Sequence, residues 1–120
     1  MAGFERFEEI EAWKGARSLT AALYGATAGG AWSKDYGLRD QIRRASVSIM
    51  SNIAEGFARE TDKDFHRFLA MARGSANEVK SQLYVALDLH YVEQSAFSGL
   101  YEQADKIARQ LTGLMKYLKV

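Results

Sequence analysis

The chain has 120 residues, 48% hydrophobic and 26% charged, the composition of one ordinary globular domain with a single core. It has no cysteine, which excludes disulfides, zinc–thiolate sites and thiol nucleophiles. Sixteen basic and fifteen acidic side chains leave a net charge of +1, without the basic excess of a dedicated nucleic-acid binder.

No apolar run reaches the roughly 18–20 residues of a membrane span. The opening stretch MAGFERFEEIEAWKG has acids where a secretory signal needs a basic and then an apolar start. Both features predict a cytoplasmic protein with no membrane association. Proline is absent, so no helix interior is broken by one.

Four segments carry helical periodicity, and together they predict a single domain over residues 1–120. The first helix is expected at about 7–28, with Ile10, Trp13, Ala16, Leu19 (or Thr20) and Leu23 on one face. The stretch TAGGAWSKDYG, marked by Gly29, Gly30 and Gly37, then reads as the longest loop. The second helix, about 36–57, places Leu38, Ile42, Ala45, Ile49, Ile53 and Phe57 at steps of three and four. The third, about 62–89, follows Thr61-Asp62-Lys63-Asp64, which has the spacing of a capping box with Asp at its third position. Its stripe runs through Phe65, Phe68/Leu69, Ala72, Ala76, Val79, Leu83 and Ala86/Leu87. The fourth, about 94–118, alternates steps of three and four through Phe97, Leu100, Ala104, Ile107, Leu111, Leu114 and Leu118, an a/d seam. Lys116 and Lys119 fall in its expected last turn, where cations complement the helix dipole. Four helices with short connections and no period-two stretch predict an all-α, antiparallel up-down-up-down four-helix bundle.

The second helix also has a polar line, Arg44, Ser48, Asn52, Glu55 and Arg59, beside its apolar one. Glu78 and Gln82 continue that line on the third helix. If the two helices fold back around residues 60–62, Arg44 faces Glu78 and Glu55 faces Arg67. Turned inward, these groups predict two inter-helix charge pairs with Asn52 hydrogen-bonded between the layers, since an unpaired buried charge costs several kcal/mol (roughly 3–5). Arg44, Ser48, Asn52, Glu55, Glu78 and Gln82 are thus expected to be a register-setting seam. Arg39 and Arg43, outside it, are candidates for a basic strip together with Arg59, Lys63 and Arg67.

Nothing points to catalysis. His66 and His90 lack the Glu-x-x-His spacing of a di-iron bundle, and no phosphate-binding, dinucleotide or serine-nucleophile motif occurs. The expectation is no enzyme, no catalytic or metal-binding residues and no cofactor.

The stretch Tyr36–Leu83, YGLRDQIRRASVSIMSNIAEGFARETDKDFHRFLAMARGSANEVKSQL, resembles the four-helix-bundle proteins associated with intervening sequences in bacterial large-subunit (23S) ribosomal RNA genes. The resemblance rests on Gly37, Leu38, Gln41, Arg43, Arg44, Ser48, Ile49, Asn52–Phe57 and Arg59, then on Phe65, Phe68, Leu69, Ala72, Gly74, Ser75, Glu78, Gln82 and Leu83. Phe7, Trp13, Ala16 and Arg17 match the family's opening helix. Met50 stands where the family usually has proline, and GGAW replaces its usual Phe-Pro before the second helix, which predicts a straighter second helix.

The resemblance implies an up-down-up-down bundle commonly assembled as a homopentamer, and no known reaction. It also implies a more distant similarity to the accessory protein of diversity-generating retroelements, a basic barrel that binds a reverse transcriptase and nucleic acid. Two roles are therefore expected in turn. The first is a non-catalytic homo-oligomeric scaffold or adaptor whose leftover aromatics, among Tyr24, Trp32, Tyr84, Tyr91 and Tyr101, form interfaces. The alternative is a nucleic-acid-binding accessory protein, partner of a reverse transcriptase or of rRNA.

Overall fold

The computed structural model describes residues 3–120. Helices α1 (Glu11–Ala26), α2 (Tyr36–Phe57), α3 (Asp62–Asp88) and α4 (Gln94–Tyr117) run along a rod of 44 × 20 × 19 Å. Short 3-10 turns occupy Phe7–Glu9 and Trp32–Lys34. Each helix packs on two neighbours, in the order α1–α2–α3–α4–α1, and α2–α3 is the most extensive contact. Short connections make consecutive helices antiparallel, which gives the four-helix bundle that the periodicity predicts. Among the described residues there is no strand, and no helix is long and apolar enough to cross a membrane.

The core is built from the periodic stripes. Leu19, Leu23, Ile42, Ile49, Ile53, Phe65, Leu69, Val79, Leu83 and Leu111 are fully shielded, and small residues (Ala16, Ala72, Ala76, Ala86, Ala104) sit between them. At Gly56 α2 packs tightly on α3, its backbone lying against Phe65 and Phe68.

The ends of the helices show how local chemistry sets boundaries. α1 begins at Glu11 rather than near Phe7, because Ile10 is extended (φ −74°, ψ 122°) and interrupts the helical backbone. The 3-10 turn before it folds Phe7 back edge-on against Trp13, with ring centroids 5.1 Å apart. Asp35 caps α2, its Oδ1 accepting from Leu38 N at 3.2 Å. Thr61 caps α3 by accepting from Asp64 N at 3.1 Å. The return half of the capping box is not made; Asp64 instead lies 3.8 Å from Arg67. α3 stops at His90, which adopts a left-handed backbone (φ 61°). Tyr91 N then donates to Ala86 O (2.8 Å) and His90 N to Leu87 O (3.0 Å), the bond pair of a Schellman motif. α4 ends at Tyr117, so Lys119 lies beyond the last turn, where its N–H donates to Asp62 Oδ2 of α3 at 3.2 Å.

The loop after α1 belongs to the core. Trp32, expected as an exposed leftover, is 1% exposed. It stacks on Tyr91 (6.1 Å), whose hydroxyl donates to Asp35 Oδ2 at 2.9 Å. Asp35 therefore caps one helix and ties down the loop that follows another. The same bond holds the Tyr91 hydroxyl above its ordinary pKa of 10.0, because the Asp35 carboxylate accepts its proton.

Candidate functional site

The polar line of α2 is only partly inside. Ser48 and Asn52 are half-buried. Asn52 Nδ2 donates to Ser48 O (2.9 Å) and Ser48 Oγ (3.0 Å), and Ser48 Oγ meets Ser75 Oγ of α3 at 3.0 Å. Gln82 is buried and donates to Glu78 Oε2 (3.2 Å) and Gln41 Oε1 (3.4 Å). Asn52, expected between the layers, bonds only to Ser48 on its own helix, whereas Ser48–Ser75 and Gln82–Gln41 do bridge the two helices.

The charges do not. Arg44, Glu55 and Glu78 are exposed, and neither expected inter-helix pair forms. Glu55 is bound by Arg59 at 3.1 Å, one turn along its own helix, and Arg67 lies near Asp64, one turn back on α3. Being exposed, Glu55 and Arg67 reach partners one turn away on their own helices instead of across the contact, and Arg44 finds none among the described residues.

The inter-helix charge pair lies instead between α3 and α4, where periodicity gave no hint of it. Lys80 Nζ donates to Asp105 Oδ1 at 2.9 Å, with the Lys80 ammonium over the Tyr101 ring (5.1 Å). Asp105 Oδ2 accepts from Arg109 at 3.0 Å, and Arg109 reaches Glu102 at 3.3 Å. The hydrogen bond raises the Lys80 pKa above 10.5 and lowers that of Asp105 below 3.8. A four-residue spacing (Asp105, Arg109) was the only local signal; Lys80 comes from another helix.

The five candidate cations fall into two groups at opposite ends of α2, not one strip. Sixteen residues from Arg43 to Arg59 span about 24 Å. At the α2–α3 turn, Arg59 and Arg67 both stack on Phe68 (4.7 and 4.6 Å), and each has a carboxylate partner. Lys63 is exposed there, with no ion pair among the described residues. At the other end, Arg39 is neutralised by Asp40 (2.9 Å), donates to Ser33 O (3.1 Å) and stacks on Tyr36 (4.8 Å).

Arg43 differs. Its Nε donates to the buried Thr27 Oγ1 at 2.8 Å, its Nη2 to Tyr24 O at 3.4 Å, and its guanidinium lies 4.4 Å over the Tyr24 ring. Neither Arg43 nor Arg44 has a carboxylate within ion-pair distance among the described residues. Both line an open groove of about 670 Å³ between the end of α1 and the outer face of α2. Arg43 is sixteen residues from Thr27 and nineteen from Tyr24, so only the packed helices bring this arrangement together. Among the described residues, no three His, Asp or Glu side chains gather as a metal-binding group.

The fold is shared with the crystal structure of a protein of unknown function from the S23 ribosomal protein family of Bacteroides thetaiotaomicron VPI-5482. The TM-score is 0.80 at 20% sequence identity, over 88% of this chain and 98% of that one. At that identity the likeness speaks for the fold alone. A comparison with curated proteins finds no match. The family model described as 23S rRNA-intervening sequence protein matches residues 8–113, and the chain belongs to that family.

Proposed function

We propose that the chain is a non-catalytic, cytoplasmic, homo-oligomeric scaffold or adaptor, with five copies as the number the family resemblance implies. One observation carries this reading. Met71, Val85 and Leu89, 47%, 44% and 50% exposed, fall along one outward line of α3. Gly74 and Ser81 lie beside them, so another helix can come close. Val85 and Leu89 are one turn apart, and Met71 is about 21 Å away on the same line, with exposed Glu78 between. Such exposed apolar groups on a small bundle support an association surface. Light scattering on a sizing column tests it. Val85→Glu is expected to dissociate the assembly, and a monomeric native chain at micromolar concentration contradicts the reading.

A second reading, a nucleic-acid-binding accessory protein acting with a reverse transcriptase or on rRNA, is supported by the two uncompensated guanidiniums of Arg43 and Arg44. In a ring, these and Arg39, Arg59, Lys63 and Arg67 repeat in every copy, so a near-neutral chain still presents basic rims. Binding through phosphates weakens steeply with salt. Gel shifts with structured RNA and duplex DNA, at low and physiological salt, decide it; failure of both at low salt ends this reading.

A further inference from the structure

The groove between α1 and α2 has a chemistry that neither bundle packing nor self-association uses. Arg43 is held rigidly by Thr27 and Tyr24, so its free N–H groups are oriented before any ligand arrives. Arg44 stands beside it, exposed. Ser51, exposed two turns further along, adds a hydroxyl. The single carboxylate on the rim, Asp40, is already taken by Arg39 at 2.9 Å.

A second groove of similar size, beside α1, shows the contrast. There Arg6 lies 3.9 Å from Glu8, Lys14 lies 3.4 Å from Glu11, and Arg17 stacks on Trp13 at 5.9 Å. Two of its three cations, Arg6 and Lys14, have carboxylate partners; in the α1–α2 groove neither Arg43 nor Arg44 has one among the described residues.

We propose that the α1–α2 groove binds a nucleotide unit, with its phosphate on Arg43 and Arg44 and its base against Tyr24. The proposal rests on the second reading above and names its site. Paired guanidinium forks suit phosphate oxygens, and preorganisation of Arg43 lowers the entropic cost of binding. Tyr24, 42% exposed, has one ring face under the Arg43 guanidinium, and a base would stack on the face that remains or on the guanidinium plane itself. The Asn52 amide nitrogen is committed to Ser48, which leaves Asn52 Oδ1 as an acceptor for a ribose hydroxyl or base amino group. Val47, 40% exposed, is the apolar part of the wall. The volume lies within the roughly 300–1,000 Å³ of small-molecule sites. The nucleotide is either free or one link of a single strand, and the two are separated by comparing affinities.

The test is fluorescence anisotropy with a short fluorescein-labelled oligoadenylate, with adenosine monophosphate and inorganic phosphate as competitors. Arg44→Ala, at an exposed position that folding does not need, is expected to weaken binding about tenfold and to reduce the salt slope by about one. Tyr24→Leu should cost about tenfold as well. Lys106→Ala on α4 should leave the affinity unchanged. Adenosine monophosphate should displace the strand at lower concentration than inorganic phosphate does; equal displacement overturns the nucleotide assignment. If the oligoadenylate binds much more tightly than the monophosphate, the natural ligand is a strand; comparable affinities assign a free nucleotide. Binding unmoved by Arg44→Glu overturns the site while leaving the nucleic-acid reading in place. No binding of oligoadenylate or monophosphate at low salt overturns the site, and gel shifts with structured RNA and duplex DNA show whether the broader reading falls with it.

Discussion

A methyl group added at Gly56 would lie 2.5 Å from Phe68 Cβ and 3.1 Å from Phe65 Cδ1. Phe68 Cβ is fixed to the α3 backbone, so no rotamer change relieves the clash. Gly56→Ala is therefore expected to destabilise the bundle by about 1–3 kcal/mol despite the roughly 1 kcal/mol that alanine gains in a helix. Gly99→Ala on α4 meets nothing within 4 Å and is expected to stabilise by roughly 0.5–1 kcal/mol. Urea unfolding of the two variants measures the difference. His90 is the converse case. At φ 61° a side chain costs about 1–2 kcal/mol, and glycine at this position removes that strain. His90→Gly is expected to raise stability by up to about 1 kcal/mol, partly offset by the freer unfolded chain. The sequence identifies Gly56 only as a small residue in a motif, and gives His90 no part in ending α3. Both roles depend on backbone geometry that residue type does not encode.

At the scale of helices, the apolar periodicity was enough to locate α2, α3 and α4, because their buried faces repeat every three or four residues without interruption. It overran the start of α1, since Phe7 and Ile10 keep helical spacing through a 3-10 turn. It was silent on Trp32, a single aromatic in a glycine-rich loop with no period to belong to. The polar line was visible, but its charges were misdirected. A helical wheel gives a side chain's angle and not its reach, and Arg59 and Arg67 were satisfied within their own helices while Arg44 was left without a partner among the described residues. The pair that does join two helices, Lys80–Asp105, has a pH signature. Asp105 is held below 3.8, so its contribution is complete above that pH and is lost as pH falls through its lowered pKa. Lys80 is held above 10.5, so its contribution is complete below that pH and is lost as pH rises through its raised pKa. The melting-temperature gap between the native protein and Lys80→Met is therefore expected to be level from about pH 5 to about pH 10 and to shrink below about pH 4. A gap that stays constant down to about pH 2 would mean that the pair adds nothing through its charge.

For the whole molecule, the decisive question is whether this rod is the functional unit. The family assignment and the bundle were legible in the NIAEG segment and the four stripes, whereas the association surface and the groove were not. Met71, Val85 and Leu89 fall outside the apolar stripe of α3, and the coordinates show how far each stands in solvent. If copies associate through that line, folding and assembly are linked by mass action, because a partner that binds only the folded chain raises its stability. The melting temperature of the native protein is then expected to climb with protein concentration, by roughly 1.4 kcal/mol of stability for each tenfold rise in free partner above Kd. Val85→Glu is expected to flatten that dependence while leaving helix content unchanged, since the position is outside the core. Arg44→Glu, on the α1–α2 groove instead, is expected to keep the concentration dependence. The pair of variants thus separates assembly from ligand binding in one set of melts. A native melting temperature that does not move with concentration would mean that each chain folds and works alone, and that the exposed line on α3 awaits a different protein.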